Sequence, residues 1–108
     1  MAEVYRKEFA IAECPSDVES PTVLAAQAAN ELLDISGIKA SFVLTIYEGK
    51  IYMSARSIDE VNVQIVAEKL GGGGHINAAG AQFDHTDMEE AIKALKQTID
   101  KMIEEGDI

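Results

Sequence analysis

The run Gly71-Gly72-Gly73-Gly74 constrains this chain more than any other segment. Each glycine loses more backbone freedom on folding than any other residue type, so four in succession need a structural or functional reason. A simple turn needs one or two. The run therefore separates elements, with Ala78–Phe83, short and apolar, read as a strand beyond it. Two readings of the surplus glycines stay open. In one, a ligand comes close to the bare backbone, and successive N–H groups converge on phosphate oxygens as a nest. His75 follows directly and would add a directional donor, or a cation when protonated. In the other, the run is a flexible connector or hinge whose first glycine only caps a helix.

The remaining elements follow from periodicity. Tyr5–Glu13 alternates and is read as one strand. Ser20 caps, and Pro21 opens, a helix through Leu33 that stops at Ser36-Gly37, with Leu24, Ala28 and Leu32 spaced by four. Ala40–Tyr47 is β-branched and aromatic, Ile51–Ser57 alternates, and Glu48-Gly49 between them reads as a tight hairpin turn. On the second of these strands Ile51, Met53 and Ala55 share one face, while Tyr52, Ser54 and Arg56 share the other. Asp59–Leu70 fits two periods. Capping by Asp59 at its start and Gly71 at its end decides for a helix. Thr86-Asp87-Met88-Glu89 reads as a capping box opening a long helix striped by Met88, Ile92, Leu95, Ile99 and Met102. The expected order is β-α-β-β-α-β-α. This is an α/β (α+β) chain with a mixed β-sheet and helices packed on it, one domain over residues 1–108.

Charge narrows the partners. Nineteen Asp+Glu against nine Lys+Arg give −10, which disfavours bulk nucleic acid, whose affinity comes from phosphate neutralisation. Residues 1–34 hold seven acids and two bases, net −5, and residues 84–108 hold eight acids and three bases, again −5. Residues 35–83 hold four of each, so an anionic ligand is tolerated best there. The glycine run follows a helix C-terminus, whose dipole repels an anion, so a positive side chain is needed beside it. Arg56 is the best placed: it lies in the neutral third and its guanidinium matches a phosphate bidentately, although a surface ion pair is the competing reading. Ser54, two residues away on the same face, adds a hydroxyl, and Asn77 can bond a phosphate or a base edge.

Other chemistry finds little support. No Lys-Ser/Thr follows the glycines, so this is not a phosphate loop of the Walker type, and the helix-before-strand order excludes a dinucleotide fingerprint. The chain has two histidines and one cysteine, Cys14, too few for a two-metal hydrolytic site or a cysteine zinc site. Asp84-His85-Thr86-Asp87 reads as a strand-to-helix turn rather than a metal cluster. No apolar run approaches the roughly 18 residues of a membrane span, and MAEVYRKEF lacks a signal-peptide core. A cytoplasmic domain without direct membrane contact is expected.

Ser54-Ala55-Arg56-Ser57, Asn62-Val63-Gln64, and Glu68 through Gly80 (EKLGGGGHINAAG) together resemble the DHH-associated C-terminal domain of DHH-family phosphodiesterases. The likeness spans essentially the whole chain, and its specific part is residues 54–80. Within the family it is most similar to the membrane-anchored cyclic-di-AMP phosphodiesterases. Short-oligonucleotide nucleases and phosphoadenosine phosphatases share the GGGH core, and alanyl-tRNA synthetases carry a related domain, which leaves a stand-alone RNA-binding module as an alternative. The resemblance implies a division of labour. A neighbouring DHH domain holds manganese and hydrolyses, while this domain grips a cyclic dinucleotide or short oligonucleotide. Carried over by position, Arg56, Gly72, Gly73, Gly74 and His75 bind the substrate, with Ser54 and Asn77 as secondary contacts. The chain itself contains no DHH motif, so no catalytic residue, metal ligand or cofactor is expected in it, and alone it is expected to be inactive.

Overall fold

The computed structural model describes residues 2–58 and 60–108. They form β1 (Ala2–Tyr5), β2 (Phe9–Glu13), α1 (Pro21–Leu32), β3 (Ala40–Tyr47), β4 (Lys50–Ser57), α2 (Val63–Lys69), β5 (Gly73–His75), β6 (Ala78–Phe83) and α3 (Met88–Glu105). The six strands make one mixed sheet in the order β1-β2-β3-β4-β6-β5. Only β2 and β3 pair in parallel. A parallel pair needs a crossover, and α1 makes it.

Strand periodicity sorts the side chains onto two faces. On one, Phe42, Leu44, Met53 and Ala55 pack under α2 and α3, whose Val66, Leu95, Ile99 and Met102 are fully buried. Each large side chain removed from water here contributes about 1.5–3 kcal/mol. On the other face α1 lays Ala25 and Ala29 over Val43, and the Ser41 hydroxyl donates to the Ala29 carbonyl. This second cluster is small and covers β3 best. Toward β6 and β5 the α1 side of the sheet is open, with Ser54, Arg56, Ala78 and Gly80 only half-buried.

Five expectations change, one of them being that Gly73–His75 within the glycine run is strand β5. The single strand over Tyr5–Glu13 is a hairpin, β1 turning into β2 through Arg6 and Lys7, both left-handed (φ 53° and 69°). Two consecutive left-handed residues match the twist of a tight hairpin, a geometry usually carried by Asn or Gly. The hairpin is clasped to α3. The Tyr5 hydroxyl and Arg6 Nε both bond Asp100, and Lys96 bridges to Glu3 while lying 5.2 Å above the Tyr5 ring. Second, α1 stops at Leu32, ahead of Ser36-Gly37. Third, α2 starts at Val63, capped by Asn62, which accepts from the Ile65 N–H; the expected cap Asp59 lies outside the described residues. Fourth, the cap of α3 is Asp87, accepting from the Glu90 N–H at 2.8 Å, one residue beyond the expected Thr86.

Candidate functional site

The sheet register places the expected ligand residues. Arg56 pairs with Ala78, and Ala78 pairs with His75. Directly opposed residues project to the same side of a sheet. Arg56 and His75 therefore stand on one face, on either side of the small Ala78 and two strand spacings, roughly 10 Å, apart. The next row on that face is Val43, Ser54, Gly80 and Gly73. Its last two members have no side chains, so the row forms a bare floor beside the Arg56–His75 pair.

The four glycines divide by cause. Gly71 has φ +90° and ends α2, its N–H bonded to the Glu68 carbonyl. Gly72 approaches β6 so closely that an added Cβ would stand 2.0 Å from the Gly80 carbonyl oxygen. Gly74 combines φ +144° with a Cβ position 2.6 Å from Ala79 Cα. Those three are required by the cap and by the β5–β6 contact. Gly73 is different: its φ is ordinary and nothing lies within 4 Å of where its Cβ would be. It is the one glycine of the run that combines ordinary backbone geometry with open space where a Cβ would stand.

This narrows the nest reading. The N–H groups of Gly71 and Gly72 are bonded to the Glu68 and Ala67 carbonyls at 3.1 and 2.8 Å and do not converge outward. The connector reading fares no better, because Gly73–His75 is strand β5, hydrogen-bonded along the sheet edge.

Arg56 is half-buried, and its Nη1 donates to the Ala55 carbonyl at 2.8 Å, which folds the side chain back along the strand. Among the described residues no carboxylate lies within salt-bridge distance of it, although the chain carries nineteen acids. His75 is exposed and Ser54 half-buried. Asn77 is turned elsewhere. Its amide donates to Ser57 Oγ (3.0 Å) and to the Ile58 carbonyl (2.8 Å), locking the β5–β6 turn to the end of β4. Ser57 is buried on the opposite side of β4 from Arg56, so Asn77 positions the turn that carries His75. Its remaining Oδ1 can only accept.

Asp84–Asp87 is the expected turn, with His85 left-handed (φ 56°) and Asp87 capping α3. Among the described residues no group of three or more His, Cys, Asp or Glu is gathered to hold a metal ion. Burial pushes the Cys14 thiol up, away from the reactive thiolate form. None of the described helices is long and apolar enough to cross a membrane.

Fold and face together define a mixed-sheet domain that offers one open strand surface with a guanidinium, an imidazole and a side-chain-free floor. The family model for the DHHA1 domain matches residues 7–104, and the chain belongs to that family. It is 46% identical over 99 residues to the cyclic-di-AMP phosphodiesterase PdeA of Listeria monocytogenes, covering 91% of this chain and 15% of that protein. It is 42% identical over 106 residues to the cyclic-di-AMP phosphodiesterase GdpP of Bacillus subtilis, covering 95% of this chain and 16% of that one. The chain thus spans about one sixth of the curated relatives it matches. Among solved structures, an exopolyphosphatase-related protein from Bacteroides fragilis superposes with TM-score 0.80 at 27% identity, over 94% of this chain and 31% of that one. The C-Ala domain of Aquifex aeolicus alanyl-tRNA synthetase superposes with TM-score 0.67 at 22% identity, over 91% of this chain and 96% of that one, a likeness of fold alone.

Proposed function

We propose that this chain is the substrate-gripping module of a phosphodiesterase and that its ligand is cyclic-di-AMP or a related short nucleotide. Hydrolysis then belongs to a manganese-bearing DHH domain outside this sequence, a reading supported by the lack of any gathered metal-ligand group among the described residues. The observation that carries the reading is the Arg56–Ala78–His75 row: a guanidinium without a carboxylate partner among the described residues, opposite an imidazole, beside the empty space over Gly73. The likeness to PdeA and GdpP supports cyclic-di-AMP as the substrate class.

The chemistry follows from the parts. Arg56 binds a phosphate through two parallel N–H donors, stronger than neutral hydrogen bonds. His75 contacts the same or the adjoining phosphate from across the row. The bare Gly73–Gly80 floor lets the sugar-phosphate backbone lie close to the sheet. The −10 net charge repels long polyanions and leaves a single local attraction for a small one. A ligand held only on this side binds weakly alone and tightly when a second domain closes over it.

Titration of the isotopically labelled chain with cyclic-di-AMP tests the reading. Shifts at Arg56, Gly73 and His75, lost in Arg56→Ala, are expected. Shifts confined to other surfaces, or salt-dependent binding of tRNA in their place, contradict it. Manganese-dependent turnover of cyclic-di-AMP by the purified chain contradicts the division of labour.

A further inference from the structure

Two residues along β4 from Ser54, the face that carries Arg56 continues into Tyr52, which pairs with Thr45 on one side and Gln82 on the other. We propose that Tyr52 is the base platform of this face, stacking the nucleobase of a nucleotide whose phosphate sits at Arg56 and His75. The inference rests on the phosphate reading above and adds the part of the ligand which that reading leaves unplaced.

Spacing comes first. Tyr52 and Arg56 are four residues apart on one strand and one face, about 13 Å between Cα atoms. The Arg56 side chain folds back toward Ala55, which shortens the gap. A phosphate alone cannot span it, whereas a phosphate with its nucleoside can. Between the two ends the floor is Ser54 and Gly80, small enough for a sugar to lie flat.

The aromatic chemistry is in place as well. Tyr47 and Tyr52 meet edge to face, with centroids 6.0 Å apart and planes at 62°. A ring has two faces and this contact occupies at most one of them, so the pair restrains Tyr52 without using both of its faces. Both rings are partly exposed, Tyr47 at 40%. Bases stack on aromatic side chains without needing a particular sequence.

The neighbouring Gln82 supplies an edge contact. Its Nε2 donates to Asp84 Oδ1 at 2.8 Å, and because a carboxylate only accepts, the amide orientation is forced. That leaves Gln82 Oε1 as an acceptor and the second Nε2 hydrogen as a donor, a pair that suits the edge of a base carrying an exocyclic amine.

The test compares two probes on the labelled chain, linear diadenylate and ribose 5-phosphate. Diadenylate is expected to shift Tyr52 and Gln82 together with Arg56 and His75, and ribose 5-phosphate to shift only the latter two. Tyr52→Ala is expected to weaken diadenylate binding about tenfold or more, the scale of one stacked base, and to leave ribose 5-phosphate unchanged. Tyr52→Phe keeps the stack and retains affinity. Diadenylate shifts confined to Arg56 and His75, with unchanged affinity in Tyr52→Ala, overturn the base platform and leave the phosphate reading standing. Shifts with neither probe overturn both. The map on the unsubstituted chain decides the matter even if Tyr52→Ala folds poorly.

Discussion

Strand β4 belongs to two different surfaces. Its even side, Tyr52, Ser54 and Arg56, is half-buried and polar, whereas its odd side, Ile51, Met53, Ala55 and Ser57, is sealed under α2 and α3. The same backbone thus serves a core and a half-buried polar face, and a shift of one residue in register would exchange them. The two faces also differ in how their helices are finished. On the core side α2 and α3 are capped by Asn62 and Asp87, while on the open side α1 begins at Ser20 with no side-chain cap bond. Stability is concentrated on one face, while on the other α1 covers β3 and approaches β4, leaving the β6 and β5 side less covered.

Substitutions can break that contrast. The largest effect is expected for Phe42→Ala, which empties a fully buried position on the core face and costs about 3–5 kcal/mol in urea unfolding. Ser54→Ala, on the open face of the neighbouring strand, is expected to stay within about 0.5 kcal/mol. Comparable losses at the two positions remove the distinction. Next is Gly72→Ala. Its methyl would collide with the Gly80 carbonyl, and overpacking of this kind costs roughly 1–3 kcal/mol, read from the same unfolding curves. A third comparison sets the helix starts against each other. Asp87→Ala is expected to cost about 1 kcal/mol, and Ser20→Ala much less because no cap bond is lost.

The smallest effect concerns pH. Burial, reinforced by the Asp100 carboxylate, holds the Tyr5 phenol above its ordinary value. The folded state therefore favours the neutral phenol. Its contribution is complete below the unfolded value near 10 and disappears as pH rises through the higher folded value. Urea midpoints between pH 9 and 11 should fall more steeply in the parent chain than in Tyr5→Phe. Equal slopes would show that the Tyr5 phenol and its bond to Asp100 add nothing.

Much of this was legible in the residues. The β3–β4 hairpin, α1 and α3 follow from alternation, from Pro21 and from the apolar stripe ending at Met102, because each signal repeats over many positions. The β1–β2 turn was hidden because Arg6 and Lys7 adopt left-handed geometry without a glycine to announce it. Strand β5 was hidden inside the glycine run, since a strand of three residues with one side chain has no periodicity. At the site, Ser54 and Arg56 shared a face by simple alternation. That His75 joins them depends on pairing through Ala78, which no local pattern encodes. The unlike causes of the four glycines, and the turning of Asn77 toward Ser57, come from tertiary contacts only. Family membership was readable from residues 54–80, where the motif is dense.

One methyl group tests the central claim most directly. Gly73→Ala adds a Cβ where the fold leaves empty space and the backbone is unstrained, so the unfolding midpoint should stay where it is. That methyl projects into the volume assigned to the nucleotide, so affinity for cyclic-di-AMP should fall by an order of magnitude or more. Unchanged affinity in a variant of unchanged stability would mean that the ligand does not lie on this face.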